Sequence, residues 1–343
     1  MTMAVLLNTL YVTTAETALF KEGETVSVRV DRVQKLRVPV HHLESIVCLG
    51  HVYVSPELMS LCLERGVGIA FLSEHGRFRG RVEGTTQNGA LLRLNQTQCH
   101  LDVGRSLAIA KSIVQGKIAN QRHVLQRAAR EAEGDTAVRL SDAARALRMS
   151  DLQHMDTHDQ VRGCEGEAAA GYFGVFGDLI RQQNDDFRWT SRQRRPPRDP
   201  INCLLSFAYA LLMNDCLSAL QANGLDPALG FLHAFRPGRP GLALDLMEHL
   251  RPLVADRLVL TLINNQQLRS SDFRRTESGA VELTDEARKL VIKTHQERKA
   301  TTIVHPLLGD EIAWGLVPNI EARLLARTLR GDLDTFPPFH PAG

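Results

Sequence analysis

No CxxC pair occurs in the 343-residue chain, and its six cysteines (Cys48, Cys62, Cys99, Cys164, Cys203, Cys216) are scattered in apolar settings such as Ile46-Val47-Cys48-Leu49. That pattern speaks against a zinc ribbon or a disulfide framework and predicts reduced, buried thiols. Net charge is almost absent at +2, which decides nothing about nucleic acid, because clustering rather than the sum makes a binding surface. No uncharged apolar run reaches membrane-spanning length. The start, Met1-Thr2-Met3-Ala4-Val5-Leu6-Leu7, has neither a basic stretch nor a small-residue cleavage site, so a cytoplasmic protein without membrane association is expected. No internal repeat is visible. What is present is 43% apolar residues, enough for globular folding, and 23% charged residues, which argues against disorder; 343 residues are too many for one ordinary core, so two domains are expected.

The chain changes character near residue 95. Before it, Thr9 to Thr14, Glu24 to Arg29, Lys35 to Val40 and Ser45 to Leu49 are rich in β-branched residues and read as strands. Ser55-Pro56 opens a helix running to Arg65 and stopped by Gly66, with strands at Val67 to Leu72 and Arg77 to Val82. After it the periodicity is helical. Helices are predicted from Asp102, over Asp142 to Gln153, around Glu165, over Leu204 to Leu220, from Asp226-Pro227 through His233, over Leu242 to Ile263 with a bend at Pro252, and over Asp285 to Glu297 and Pro318 to Leu329. Arg188 to Pro200 reads as a loop. The expected fold is α+β multidomain: a small β-rich N-terminal domain (1–95), a larger all-α domain (96–335) and a proline-rich irregular tail (336–343).

Ionisable residues intrude into three apolar segments. Glu165 shares a helical face with Ala168, Ala169, Tyr172 and Phe176; His233 lies in Phe231-Leu232-His233-Ala234-Phe235; Asp245 and Glu248 lie in Asp245-Leu246-Met247-Glu248. Together they suit a buried Mg²⁺ or Mn²⁺ site, since carboxylates favour hard cations and an imidazole tilts the set towards Mn²⁺. Singly, they also read as a cap, a core histidine and an exposed helix edge, and spacing does not bring the segments together. A rival pair, His154 and His158, has i, i+4 spacing but reads as a solvated helix end. Arg188, Arg192, Arg194, Arg195 and Arg198, with Trp189 interleaved, form a candidate phosphate-binding loop whose alternative is plain solvated surface. The basic helix carrying Lys111, Lys117, Arg122, Arg127 and Arg130 is a weaker candidate for the same role.

Several ordered blocks resemble the CRISPR-associated endonuclease and integrase, the Cas-one family of spacer acquisition: Gly116-Lys117-Ile118-Ala119-Asn120-Gln121-Arg122, Arg162-Gly163-Cys164-Glu165-Gly166-Glu167-Ala168-Ala169, Asp199-Pro200-Ile201-Asn202-Cys203-Leu204-Leu205-Ser206, Gly230-Phe231-Leu232-His233, and Leu244-Asp245-Leu246-Met247-Glu248 followed by Arg251-Pro252 and Asp256. The resemblance covers roughly residues 100 to 260 and is looser before that. It implies a metal site in the helical domain with Glu165, His233 and Glu248 as ligands, Glu248 standing where many members carry Asp, and Asp245 as an adjoining catalytic position. It implies a homodimer, with dimer and partner contacts in the N-terminal domain, that joins a second Cas protein (Cas-two family) in a heterohexamer. The activity implied is insertion of short double-stranded DNA into a CRISPR repeat beside the leader by transesterification of 3′-hydroxyl ends. General similarity points to the type I-C version. DNA contacts would fall on Lys111, Lys117, Arg122 and Arg162 and on the arginine loop. A repair nuclease with the same site and a non-catalytic DNA-binding scaffold are the alternatives.

Overall fold

Alternating β-branched and polar residues build two four-stranded sheets, seen in a computed structural model that describes residues 8–12, 14, 16–72, 78–82, 90–148, 150–183, 185–193 and 196–341. In chain order the strands are β1 (Asn8–Val12), β2 (Thr17–Glu22), β3 (Thr25–Val30), β4 (Val33–Pro39), β5 (Leu43–Leu49), β6 (Val52–Val54), β7 (Gly68–Leu72) and β8 (Phe78–Val82), with α1 (Pro56–Glu64) between β6 and β7. One sheet runs β4-β3-β2-β6, an antiparallel meander with β6 added parallel to β2. The other runs β1-β5-β7-β8, with β5 parallel to both neighbours and β8 antiparallel. α1 starts as its sequence predicts: Ser55 Oγ accepts the Leu58 N–H at 3.3 Å, Pro56 stands at the first turn, and Gly66 follows at φ +71°. Leu19, Val26, Ile46, Leu58 and Ile69 fill the core beneath. The expected strands fall within a few residues of β1, β3, β4, β5, β7 and β8. β2 and β6 were not anticipated: Lys21 and Glu22 interrupt the β-branched signal of the first, and the second has only three residues.

Helices follow: α2 (Ala90–Leu101), α3 (Val103–Glu131), α4 (Gly134–Ala146), α5 (His158–Gly174), α6 (Pro200–Ala222), α7 (Gly241–Glu248), α8 (Arg257–Asn264), α9 (Asp285–Ala300) and α10 (Val317–Arg330). They share one core around α6, whose first turn is closed by Asp199 Oδ1 accepting the Asn202 N–H at 2.8 Å. α6 is long and apolar enough to cross a membrane, but 67% of that window is buried inside the fold, as a core helix requires.

Four expectations need correction. The helical part is not purely α, since it carries two short hairpins, Phe273–Arg275 with Val281–Leu283 and Thr302–Val304 with Glu311–Ala313. The helix expected over Asp142 to Gln153 is α4, which starts at Gly134 and ends at Ala146. Pro252 divides the run from Leu242 to Ile263 into α7, a widened π turn (Pro252–Asp256) and α8. The segment from Asp226 to His233 forms no helix; a buried carboxylate takes its N–H groups instead.

Candidate functional site

α3, α5 and α7 meet where their sequences carry charge among core residues. Glu165 projects from α5 on the face of Ala168, Ala169 and Tyr172, all buried. Glu248 ends α7 and is 2% exposed. Both carboxylates converge on a third group, the Lys117 ammonium of α3: Nζ donates to Glu165 Oε1 and, at 2.7 Å, to Glu248 Oε2. Lys117 is 3% exposed. The structure therefore places it inside the site and not on the basic surface expected of a DNA contact, because the i, i+4 row Ile109, Ile113, Lys117, Gln121, Leu125 faces the core throughout.

His233 approaches Glu248 from the loop ahead of α7. Its Nδ1 lies 2.6 Å from Asp245 Oδ1, and its Nε2 lies 3.7 Å from Glu248 Oε1. Asp245 is fully buried and accepts the backbone N–H groups of Phe231, Leu232 (2.9 Å) and His233 (3.0 Å). The Asp245 carboxylate takes Nδ1, which leaves Nε2 as the ring nitrogen on the Glu248 side. Asp245 thus sets the position of His233 and does not face the convergence point through a free oxygen. Gly230 makes the turn possible: a Cβ there would lie 2.7 Å from both Asp245 Oδ2 and the Gly241 carbonyl carbon. Arg162, half-buried on α5, donates to Leu232 O at 3.1 Å and pairs with Asp159, so it clasps this loop.

Arg251 is the residue that sequence reasoning missed besides the placement of Lys117. Its Nη1 lies 2.9 Å from Glu248 Oε1, and its guanidinium stacks 4.9 Å over the Tyr209 ring. The i, i+3 spacing from Glu248 is the signal that would have found it. Burial resists ionisation of Glu248, but Arg251, Lys117 and His233 outweigh it and hold the carboxyl down to about 2. Behind them a cavity of about 10 Å³, room for about one water, is lined by Lys117, Gln121, Arg192, Tyr209, Arg251 and Asp256.

Two carboxylates turned to one cation position, with an imidazole nitrogen beside the second oxygen of Glu248, are donors that suit a hard divalent ion, and the ammonium shows that the position already attracts positive charge. The residues fit Mg²⁺ or Mn²⁺ on that observation. Among the described residues no three carboxylate, imidazole or thiolate groups already stand clustered at ligand spacing. The ammonium fills the centre instead.

The remaining candidates divide. Arg188 and Arg198 are exposed, Lys111 and Arg122 half-buried, and Lys111 Nζ donates to Gln153 O at 3.3 Å. Arg192 turns inward: Nη1 donates to Asn202 Oδ1 and Gln193 O, both at 2.6 Å, which removes it from the expected phosphate-binding set. Arg194 and Arg195 lie outside the described residues. His154 and His158 form no pair, since His154 ends a 3₁₀ turn (Ser150–His154) and His158 opens α5, 3.1 Å from Ser106 Oγ. The cysteines form no disulfide, and all but the half-buried Cys164 are buried as expected. Gly166 is exposed with open space at its Cβ, whereas Ala168 and Ala169 are buried; Glu167 faces solvent.

The family model for "CRISPR associated protein Cas1" matches residues 10–297. A CRISPR-associated endonuclease Cas1 of Rhodospirillum rubrum is 51% identical, over 98% of this chain and 99% of the relative. One of Chlorobaculum tepidum is 46% identical over 97% and 98%. Among solved structures, a CAS1 protein from Thermotoga maritima superposes with a TM-score of 0.83 at 24% identity, over 96% of this chain and 99% of that one. A casposase bound to integration product gives 0.82 at 21% identity, over 98% and 94%.

Proposed function

Because this chain belongs to the Cas1 family of CRISPR-associated proteins, we propose that it is a divalent-metal-dependent DNA endonuclease and integrase. In this reading it inserts short DNA fragments into a CRISPR repeat by transesterification, each 3′-hydroxyl attacking a repeat phosphate directly. The observation that carries it is the convergence of Glu165 and Glu248 on one buried cation position, with His233 Nε2 3.7 Å from the second oxygen of Glu248. Glu165, Glu248 and His233 would hold Mg²⁺ or Mn²⁺. Bound there, such an ion would polarise the attacked phosphoryl oxygen and stabilise the charge that builds on it. Asp245 keeps His233 in the tautomer that presents Nε2, and Arg251 keeps Glu248 ionised and oriented. No covalent enzyme intermediate is needed.

The relatives named as CRISPR-associated endonucleases support the nuclease part of the reading. The partner proposed is a second Cas protein bridging homodimers into a heterohexamer, in line with fold neighbours solved as a Cas6-RT-Cas1–Cas2 complex. The type I-C setting rests on the block resemblance, and the genes beside this one test it. The activity test is joining of a short duplex to a supercoiled repeat plasmid with Mn²⁺. Glu165→Gln and His233→Ala should each lower joining by at least a hundredfold with the circular dichroism spectrum unchanged. Full joining by either variant would reject the site, and cleavage without repeat-dependent joining by the wild type would favour a repair nuclease.

A further inference from the structure

We propose that Lys117 is the built-in counter-cation of the site: its ammonium neutralises Glu165 and Glu248 while no divalent ion is bound, and withdraws towards Gln121 when one binds. This rests on the metal reading above and concerns a side chain that reading does not use.

A buried carboxylate, Glu248, facing a half-buried one, Glu165, without a cation is costly, and Lys117 Nζ removes that cost by donating to both. A divalent ion held by the same oxygens would occupy the same place. Two positive charges brought that close in a low-dielectric interior repel strongly, so the ammonium and the ion exclude each other. Arg251 also neutralises Glu248, but its guanidinium is stacked on Tyr209 and bonds a different oxygen, Oε1, so it is held in place. Lysine has a flexible four-carbon stem and can leave.

The structure supplies the place to go. Gln121 stands one turn along α3 at i+4, on the same face as Lys117. Its side chain is buried, and its Oε1 has no hydrogen-bond partner among the described residues. An unpartnered buried acceptor is costly, and a retreating ammonium would recover that cost. Lys117 and Gln121 line the same small cavity, whose volume of about 10 Å³ suits one water-sized group, and Asp256 stands on its wall. Metal binding is then a cation exchange inside the protein, and the affinity measured for the ion is weaker than the bare ligand set would give.

The experiment is calorimetric titration of Mn²⁺ into the full chain without DNA, together with melting curves with and without Mn²⁺, for the wild type and for Lys117→Met, Gln121→Leu and Glu165→Gln. Lys117→Met should bind Mn²⁺ at least tenfold more tightly, melt lower than the wild type without metal, and regain that difference with saturating Mn²⁺. Gln121→Leu should bind severalfold more weakly, because it removes the acceptor for the withdrawn ammonium and leaves the bridged arrangement intact. Equal or weaker binding by Lys117→Met overturns the proposal, as does unchanged affinity in Gln121→Leu, which decides the matter if Lys117→Met does not fold. Wild-type binding that Glu165→Gln abolishes keeps the metal reading standing whichever way Lys117 falls; no Mn²⁺ binding by the wild type overturns both.

Discussion

Asp256 closes the π turn behind the site, fully buried with Tyr209 Oη donating to its Oδ1 at 2.7 Å. Burial dominates its titration and lifts the carboxyl from 3.8 to about 6, against the opposing pull of Tyr209, Arg192 and Arg251. Between those values the folded chain keeps a proton that the unfolded chain has released, so stability is highest at the acid end of the window and falls as pH rises through it. The difference of roughly 2 units corresponds to about 3 kcal/mol. Asp256→Asn, neutral throughout, should therefore flatten the profile between pH 4 and 6 and unfold at higher urea than the wild type above pH 6. Parallel urea midpoints for the two proteins across that range would show that Asp256 is ionised at no cost in the fold. In its partners Asp256 differs from Asp245, which stands in the same block and is equally buried, and no spacing marks that difference. The difference lies in the donors: Asp245 has three backbone N–H groups and an imidazole, and these come from a loop whose path no local pattern encodes.

At the scale of elements, what was legible follows the range of the interaction that forms them. Caps and alternation act within a few residues, and Ser55-Pro56 with Gly66 and the β-branched runs yield α1 and most strands nearly where expected. The Asp226 to His233 segment looked helical for the same local reason, yet Asp245, twelve residues beyond His233, takes the N–H groups that a helix would use internally. Glu165, His233 and Glu248 were singled out as charges among core residues, but only the family blocks connected them, because three helical-domain segments meet through tertiary packing alone. A count of basic residues groups Lys117 with the surface cations of α3, whereas the i, i+4 row puts it in the core. The segment from Arg188 to Arg198 illustrates the same limit. Arg192 anchors α6 through Asn202, which leaves Arg188 and Arg198 as its exposed cations among the described residues. If these two contact phosphates, Arg188→Ala with Arg198→Ala should lower the slope of log K against log salt for duplex binding by about 2, near 0.9 per lost contact. The reading is a fluorescence-anisotropy titration at several salt concentrations, and an unchanged slope would make the segment solvated surface.

Over the whole molecule, the end of the chain returns to the helix that carries Lys117. The tail is irregular, as its prolines require, but it is not loose: Phe336 and Phe339 are 2% and 1% exposed. Asn120 Nδ2 donates to Phe339 O (2.9 Å) and His249 O (2.6 Å), and the Phe339 N–H donates to Glu321 Oε2 at 2.8 Å. Glu321 also accepts from His249 Nε2 at 2.8 Å; burial resists its ionisation, and the two histidines near it, His249 and His305, bring the carboxyl below its usual range. Pro338 lies so close to α3 that a Cβ on Gly116 would stand 2.6 Å from its own Cβ. The last residues thus tie α3, α7 and α10 together on the flank of the site, a contact across more than two hundred positions that periodicity cannot register. Truncation after Thr335 would empty the Phe339 pocket and strip partners from the buried Asn120 and Glu321. Loss of a buried phenylalanine alone costs about 3–5 kcal/mol, so both Phe339→Ala and the truncation should lower the urea midpoint by at least that equivalent. Because Gly116 and Asn120 bracket Lys117, the truncated chain should also lose strand joining at temperatures where it is still folded. A truncated protein with the wild-type midpoint would mean that the tail merely lies on the surface that α3, α7 and α10 have already formed.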